Sequence, residues 1–284
     1  MTHHKLSKKS YTLLYSVFVL VFTWVVSIAL FSDPNLNTDS IVVIIPLVLA
    51  MFFPAILAFI FKRIMYRNTK SMSQFSLKTL NKKSLLFAIL YPILFILLSF
   101  LIVLVLQIGK INFKEIPNFS GVIKIIVAIF INMIILIGEE YGWRGYLLPE
   151  LTEKHGKIKA TVFVGLVWAL FHVPVVYLSA KASGMSDPLL VCLIQAGCAF
   201  VFSFAFSYCY YLSKNLIPVL LMHSIWNEIN TLVLGNISSN KQGFLHGNLL
   251  YINGEGIVGL VIGSLMVLWF IALFRKEKKI NTLP

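Results

Sequence analysis

The sequence predicts an all-α integral membrane protein with eight transmembrane helices and both termini in the cytoplasm. Three observations predict it. First, 58% of the 284 residues are apolar and only 12% charged, with a mean hydropathy of +0.87, whereas a soluble domain is about 45–50% apolar and about 25% charged. Second, continuous apolar runs recur at the roughly 20-residue length that crosses a ~30 Å hydrocarbon core. Third, the basic residues gather on alternate connecting segments. A soluble fold with so few charges would expose large apolar patches and aggregate. Soluble enzyme, disordered chain and fibrous repeat are therefore excluded.

The eight predicted spans are 11–31, 41–61, 85–106, 122–138, 158–178, 189–212, 216–234 and 256–274. Helices are expected because barrel strands would alternate in short segments. Pro46, Pro54, Pro92, Pro174 and Pro218 lie in or near the spans, which membrane helices tolerate better than soluble ones. The first span follows Lys5, Lys8 and Lys9 as a signal peptide would. Its 21 residues are too long for a signal core and no A-x-A site follows, so it reads as a retained anchor. With the N-terminus inside, 19 Lys and Arg fall on the cytoplasmic side and 5 on the other, which satisfies the positive-inside rule.

The chain divides into helices one to three with a basic loop at 62–84 (residues 1–120), a core of helices four to seven (121–234), and a final loop, helix and basic tail (235–284). The formal charge of +13 would point to nucleic acid in a soluble protein. Here it orients the chain and touches anionic lipid, and no nucleic-acid partner is expected. Lysine outnumbers arginine 20 to 4, with abundant Ile and Asn, which hints at an AT-rich bacterial genome and a bacterial plasma membrane. Cys192, Cys198 and Cys209 share one apolar stretch without metal-site spacing, so they read as small buried hydrophobes.

Ionisable groups at membrane depth are expensive and mark function by default. They fall in three places: Glu139, Glu140 and Arg144 at the end of span four, His172 in span five, and His223, Asn227 and Glu228 in span seven. On a helix Glu140 and Arg144 are i,i+4 neighbours and can pair. Glu139 is turned about 100° from Glu140 and is free to face the bundle interior. A carboxylate beside a partly desolvated imidazole can take a proton from water. His223 and Asn227, again i,i+4, project together as two donors able to hold a developing oxyanion. Alternatively, Glu139, His172 and His223 make a two-His, one-carboxylate set suited to zinc (Zn2+) with water in the fourth position.

Glu139-Glu140-x-x-x-Arg144, an aromatic four residues before His172, and His223-x-x-x-Asn227 resemble the three motifs of the CPBP family, the CAAX-type prenyl endopeptidases and bacteriocin-processing enzymes also called Abi. The resemblance covers about residues 121–234. Trp168 stands where the family usually has Phe and keeps an aromatic. The resemblance implies an intramembrane endopeptidase cutting a membrane-associated peptide or protein near the cytoplasmic interface, in bacteriocin maturation or self-immunity. It implies Glu139 and His172 as activators of water, His223 and Asn227 as the oxyanion grip, and Glu140 with Arg144 as a brace. It leaves zinc and a metal-free glutamate mechanism equally open, since HExxH is absent.

Other polar residues read as supports. Glu228, about 140° round the helix from His223, either backs the site or faces a water-filled cleft, and Asn230 at i+7 suits a supporting hydrogen bond. Trp168 and Trp226 read as packing or interfacial aromatics, and His3, His4, His155 and His246 as solvated. Span four is expected to run on into an amphipathic piece at 145–151. Two rivals stand beside the peptidase: a proton- or ion-coupled transporter, which lacks charges across the far half of the core, and an immunity or binding protein that does not cut. Depth poses a difficulty. At ~1.5 Å per residue Glu139 lies about 5 Å from the cytoplasmic edge, His223 about 10 Å in and His172 about 21 Å in. Convergence requires either that 158–164 be an interfacial segment or that strong tilts compensate.

Overall fold

A computed structural model describes residues 8–32, 41–66, 75 and 77–280. Arg67 and Lys70 of the basic loop, and His3, His4 and Lys5 of the tail, lie outside the described residues. The described residues are almost all helical: α1 (Lys8–Leu30), α2 (Ile41–Tyr66), α3 (Lys82–Val105), α4 (Phe119–Gly142), a π-helical turn (Trp143–Leu147), α5 (Leu148–Ala182), α6 (Pro188–Ser213), α7 (Leu216–Leu234), the single turn α8 (Leu249–Ile252) and α9 (Ile257–Ile280). A short antiparallel ribbon, β1 (Gly109–Ile111) with β2 (Leu245–Gly247), pairs Lys110 with His246. The sequence reading missed this ribbon because three-residue strands leave no periodicity to detect.

Helix starts follow the rule that a short polar side chain satisfies the first orphan N–H groups. Asn81, Asn118, Asp187 and Asn215 accept from the backbone N–H of Ser84, Gly121, Leu190 and Ile217 to open α3, α4, α6 and α7. The bundle is apolar outside as well as inside: Leu13, Ile56, Leu94, Phe130, Leu193 and Leu268 are exposed, as lipid-facing side chains are in a solvent as apolar as themselves. Six stretches are long and apolar enough to cross a membrane, and one of them, Phe119–Ala182, contains both α4 and α5. α7 is not among them. Its apolar run is interrupted by His223, Ser224, Asn227, Glu228, Asn230 and Thr231, and it packs against α3 and α4. Among the described residues composition thus marks six stretches, one of them holding two helices, where eight spans were expected.

Two features set the depth of the polar residues. α4 does not stop at Gly138 but continues to Gly142 and through the π turn into α5. Its last glycines lie flat on α2: a Cβ on Gly138 would come 2.6 Å from the Met51 carbonyl oxygen, and one on Gly142 would come 2.5 Å from Pro54 Cβ. Met51 stands about 15 Å from one end of α2 and about 22 Å from the other, so Glu139 sits near mid-depth and not at an edge. The second feature is Gly156, whose φ of +75° breaks α5 into 148–155 and 157–182, a conformation that favours glycine. Counted from the break, Trp168 is about 17 Å and His172 about 22 Å along the second piece. The depth difficulty is resolved by this deeper position of Glu139. Within 158–164, Ala160, Thr161 and Val164 are buried in the bundle. The chain does continue as helix past Arg144, but Tyr146, Leu147 and Leu148 are fully buried, so this stretch is not the amphipathic piece expected.

Candidate active site

The three motifs converge on one cavity of about 450 Å³, whose wall includes Glu139, His172, His223 and Asn227. Four helices bring them there: α4 carries the glutamates, α5 His172, α7 His223 and Asn227, and α6 closes the wall with Phe202 and Phe206. The π turn follows the glutamates directly. Such an extra residue per turn re-registers a helix and occurs often at functional sites.

Glu140 and Arg144 are both fully buried. Arg144 Nη1 donates to Oε1 at 2.9 Å and Oε2 at 3.0 Å, the i,i+4 pairing expected from the sequence. The guanidinium lies over the Trp168 ring at 4.5 Å and the Phe206 ring at 4.9 Å, and Nη2 reaches Ser203 Oγ at 3.5 Å. Glu140 also accepts from His223 Nδ1 at 2.8 Å. A carboxylate only accepts, so the proton is on Nδ1 and Nε2 is the nitrogen left for a ligand. Glu140 is therefore withdrawn from chemistry: it anchors Arg144 on one side and orients His223 on the other.

Glu139 is 4% exposed and lines the cavity. Its Oε2 accepts from Trp168 Nε1 at 3.1 Å. Trp168 was expected only to pack, and this donor role is a correction. The indole also stands edge-on to both histidines, with ring centroids 5.6 Å from His172 and 5.7 Å from His223. His172 Nδ1 lies 2.8 Å from the Trp168 carbonyl oxygen, which fixes the proton on Nδ1 and leaves Nε2 as an acceptor. Asn227 lines the cavity and makes no side-chain hydrogen bond within the described residues, so its amide is available to a ligand.

The remaining wall is polar in a way the sequence did not advertise. Glu228 accepts from Asn132 Nδ2 at 3.2 Å and faces the cavity. Asn230 accepts from Gly254 N at 3.1 Å, the supporting role expected of it. Glu255 was missed. Its Oε2 accepts from Gln195 Nε2 at 2.6 Å and its Oε1 from Trp226 Nε1 at 3.0 Å, while Ser238 Oγ donates to Gln195 Oε1 at 2.8 Å. A loop glutamate has no distinguishing signal in one sequence, although a glutamine in an otherwise apolar span was a visible clue to Gln195. Away from the site, His246 was expected to be solvated but pairs with Glu115 at 2.8 Å across the ribbon, and Lys62 of the basic loop donates to the Gly145 carbonyl at 2.9 Å. His155 is exposed, as expected.

Metal binding needs three or four ligand atoms converging at about 2 Å from one point. Among the described residues no three His, Cys, Asp or Glu side chains converge in this way. Glu139, His172 and His223 share a wall without forming a ligand cage, and no step below is routed through zinc.

Residues 120–229, from the start of α4 almost to the end of α7, match the family described as Rce1-like, type II CAAX prenyl endopeptidase. Over that stretch, about two fifths of the chain, the sequence is similar to the CAAX endopeptidase family. CAAX prenyl protease 2 of Methanococcus maripaludis is 28% identical over 111 residues. That stretch is 37% of this chain and 39% of the relative, so the chain matches about two fifths of the relative's length. The matched stretch contains the cavity's Glu139, His172, His223 and Asn227. Gln195 and Trp226 lie within the matched stretch, whereas their partner Glu255 and Ser238 lie beyond it.

Proposed function

We propose that this protein is an intramembrane endopeptidase that hydrolyses a peptide bond of a membrane-associated peptide or protein, with Glu139 activating water. The observation that carries the reading is the division of labour between adjacent glutamates. Glu140 is neutralised by Arg144 and bound to His223, while Glu139 faces the cavity with one neutral donor on it. A carboxylate held this way has an oxygen left to take a proton from water.

In the proposed reaction, water held between Glu139 and His172 Nε2 attacks the scissile carbonyl and gives its proton to Glu139. The oxyanion is held by the Asn227 amide and by His223 Nε2–H, which requires a ring carrying both protons with Glu140 as its counter-ion. Two such donors are each worth about 3–4 kcal/mol in comparable sites. The C–N bond then breaks, and the proton on Glu139 passes to the leaving nitrogen. Apolar walls from Phe202 and Phe206 keep bulk water from competing.

Eight spans with both termini cytoplasmic are proposed for the membrane arrangement, supported by the eight long helices and the 19-to-5 basic count. In that orientation a cut at mid-depth replaces one near the cytoplasmic interface. Glu140 to Leu148 are buried beneath the site, while the cavity extends along α5 to Ser179 and along α7 to the exposed Thr231. A bacterial plasma membrane fits the lysine-rich composition, and a part in bacteriocin maturation or self-immunity rests on the resemblance to the CPBP motifs. The test compares membranes containing wild type or Glu139→Gln by proteomic mapping of new peptide termini. Termini that vanish in Glu139→Gln are expected; identical termini in both would overturn the reading.

A further inference from the structure

The cavity has a charge pattern that the hydrolytic reaction does not use. Its wall carries the carboxylates of Glu139, Glu228 and Glu255 and no lysine or arginine. Arg144, the nearest guanidinium to the site, is fully buried and committed to Glu140. A substrate carboxylate, including a free C-terminus, would meet no lysine or arginine among the described residues of this wall, and two or three like charges.

Glu255 is the informative one. Both its oxygens accept from neutral donors, Gln195 and Trp226, and no cation pairs with it among the described residues. Those two bonds hold the carboxylate in one orientation, and Gln195 is itself held by Ser238. Three side chains thus fix a half-buried negative charge in the cavity wall without neutralising it. Partly buried charges are ordinarily paired, and the open space in front of this one is the active-site cavity. Its position relative to the chemistry follows from α7. Trp226, which donates to Glu255, is three residues from His223, a rise of about 4.5 Å. An extended peptide advances about 3.3–3.6 Å per residue, so a side chain that reaches Glu255 belongs to a residue close to the bond being cut.

We propose that Glu255 is a specificity-determining residue: its carboxylate receives a lysine or arginine side chain of the peptide, carried within about three residues of the scissile bond. This rests on the peptidase reading, and the experiment separates the two. The full chain carrying Glu139→Gln is reconstituted in nanodiscs, and binding is measured for eight-residue Ala/Leu peptides capped at both ends. In each peptide one position holds lysine, norleucine or glutamate, and that position is moved along the sequence. At the favoured position the lysine peptide is expected to bind about tenfold more tightly than its norleucine counterpart, with the glutamate peptide weakest. Adding Glu255→Gln, which keeps the shape, is expected to bring lysine and norleucine within about twofold. Equal binding of lysine and norleucine peptides to the Glu255-intact protein overturns the proposal without any variant at Glu255. A lysine preference that survives Glu255→Gln overturns it as well. Cleavage of the same peptides by protein with Glu139 intact is scored separately. A Glu255-dependent lysine preference without cleavage would retire the peptidase reading and leave the cationic subsite standing.

Discussion

Adjacent glutamates on one helix turn should respond oppositely to the same substitution. Glu140→Gln removes the negative charge between Arg144 and His223 while Arg144 stays fully buried, with Nη1 2.9 and 3.0 Å from the former carboxylate oxygens. Breaking a buried ion pair by removing one partner costs about 3–5 kcal/mol, because the other charge is left uncompensated. The two aromatic faces on the guanidinium, at 4.5 and 4.9 Å, offset part of this at up to about 2 kcal/mol. The glutamine oxygen can keep one hydrogen bond, so the lower half of the range is expected, about 3 kcal/mol. Glu139→Gln removes a charge that has one neutral hydrogen bond, from Trp168 at 3.1 Å, and a glutamine oxygen accepts that bond equally. Its stability should stay within about 1 kcal/mol of wild type, while activity is lost. Reversible unfolding in mixed micelles gives both free energies, and a peptide-cleavage assay gives the rates. The double variant Glu140→Gln, Arg144→Met removes both charges and should recover most of the loss. If Glu140→Gln is as stable as wild type, or Glu139→Gln is the more damaged of the two, the assignment of brace and base is wrong.

Two further outcomes follow from the same geometry. Activity should survive exhaustive chelation, and purified protein should hold well under one equivalent of zinc by elemental analysis, because no three ligand side chains converge in the site; loss of activity restored by zinc would instead require His172 and His223 to regroup around Glu139. In intact cells, a membrane-impermeant thiol reagent should label Asn240→Cys, near the rim, and should reach Lys154→Cys only after permeabilisation; the reverse pattern would turn the bundle over and put the cavity's open end in the cytoplasm.

The all-helical membrane class and the residues that meet at the cavity were legible in the sequence for physical reasons. Lipid permits few ionisable groups, so Glu139, Arg144, His172 and His223 stand out against an apolar background in a way they would not in a soluble enzyme. The i,i+4 pairing of Glu140 with Arg144 is a local consequence of helix geometry, and it holds through the π turn that begins at Trp143. Depth was not legible, because it depends on contacts between distant segments. Nothing near Glu139 reports that Gly138 and Gly142 rest on Met51 and Pro54. Glu255 was invisible for a related reason: a loop glutamate looks solvated until Gln195 and Trp226 are seen to hold it.

The glutamate pair also explains why the site needs two acids side by side. A single carboxylate in this wall would meet the fully buried Arg144 and would be neutralised as Glu140 is. It would then lose the ability to accept a proton from water at little cost. With Glu140 occupying Arg144 and His223, the guanidinium no longer competes for Glu139, which keeps an unpaired charge facing the cavity. The buried ion pair contributes little net stability by itself, since desolvation offsets most of the attraction. In the proposed mechanism its effect is to hold His223 in one orientation through Nδ1–H and to leave Glu139 reactive, and this is why a conservative change at either glutamate should abolish cleavage by a different route.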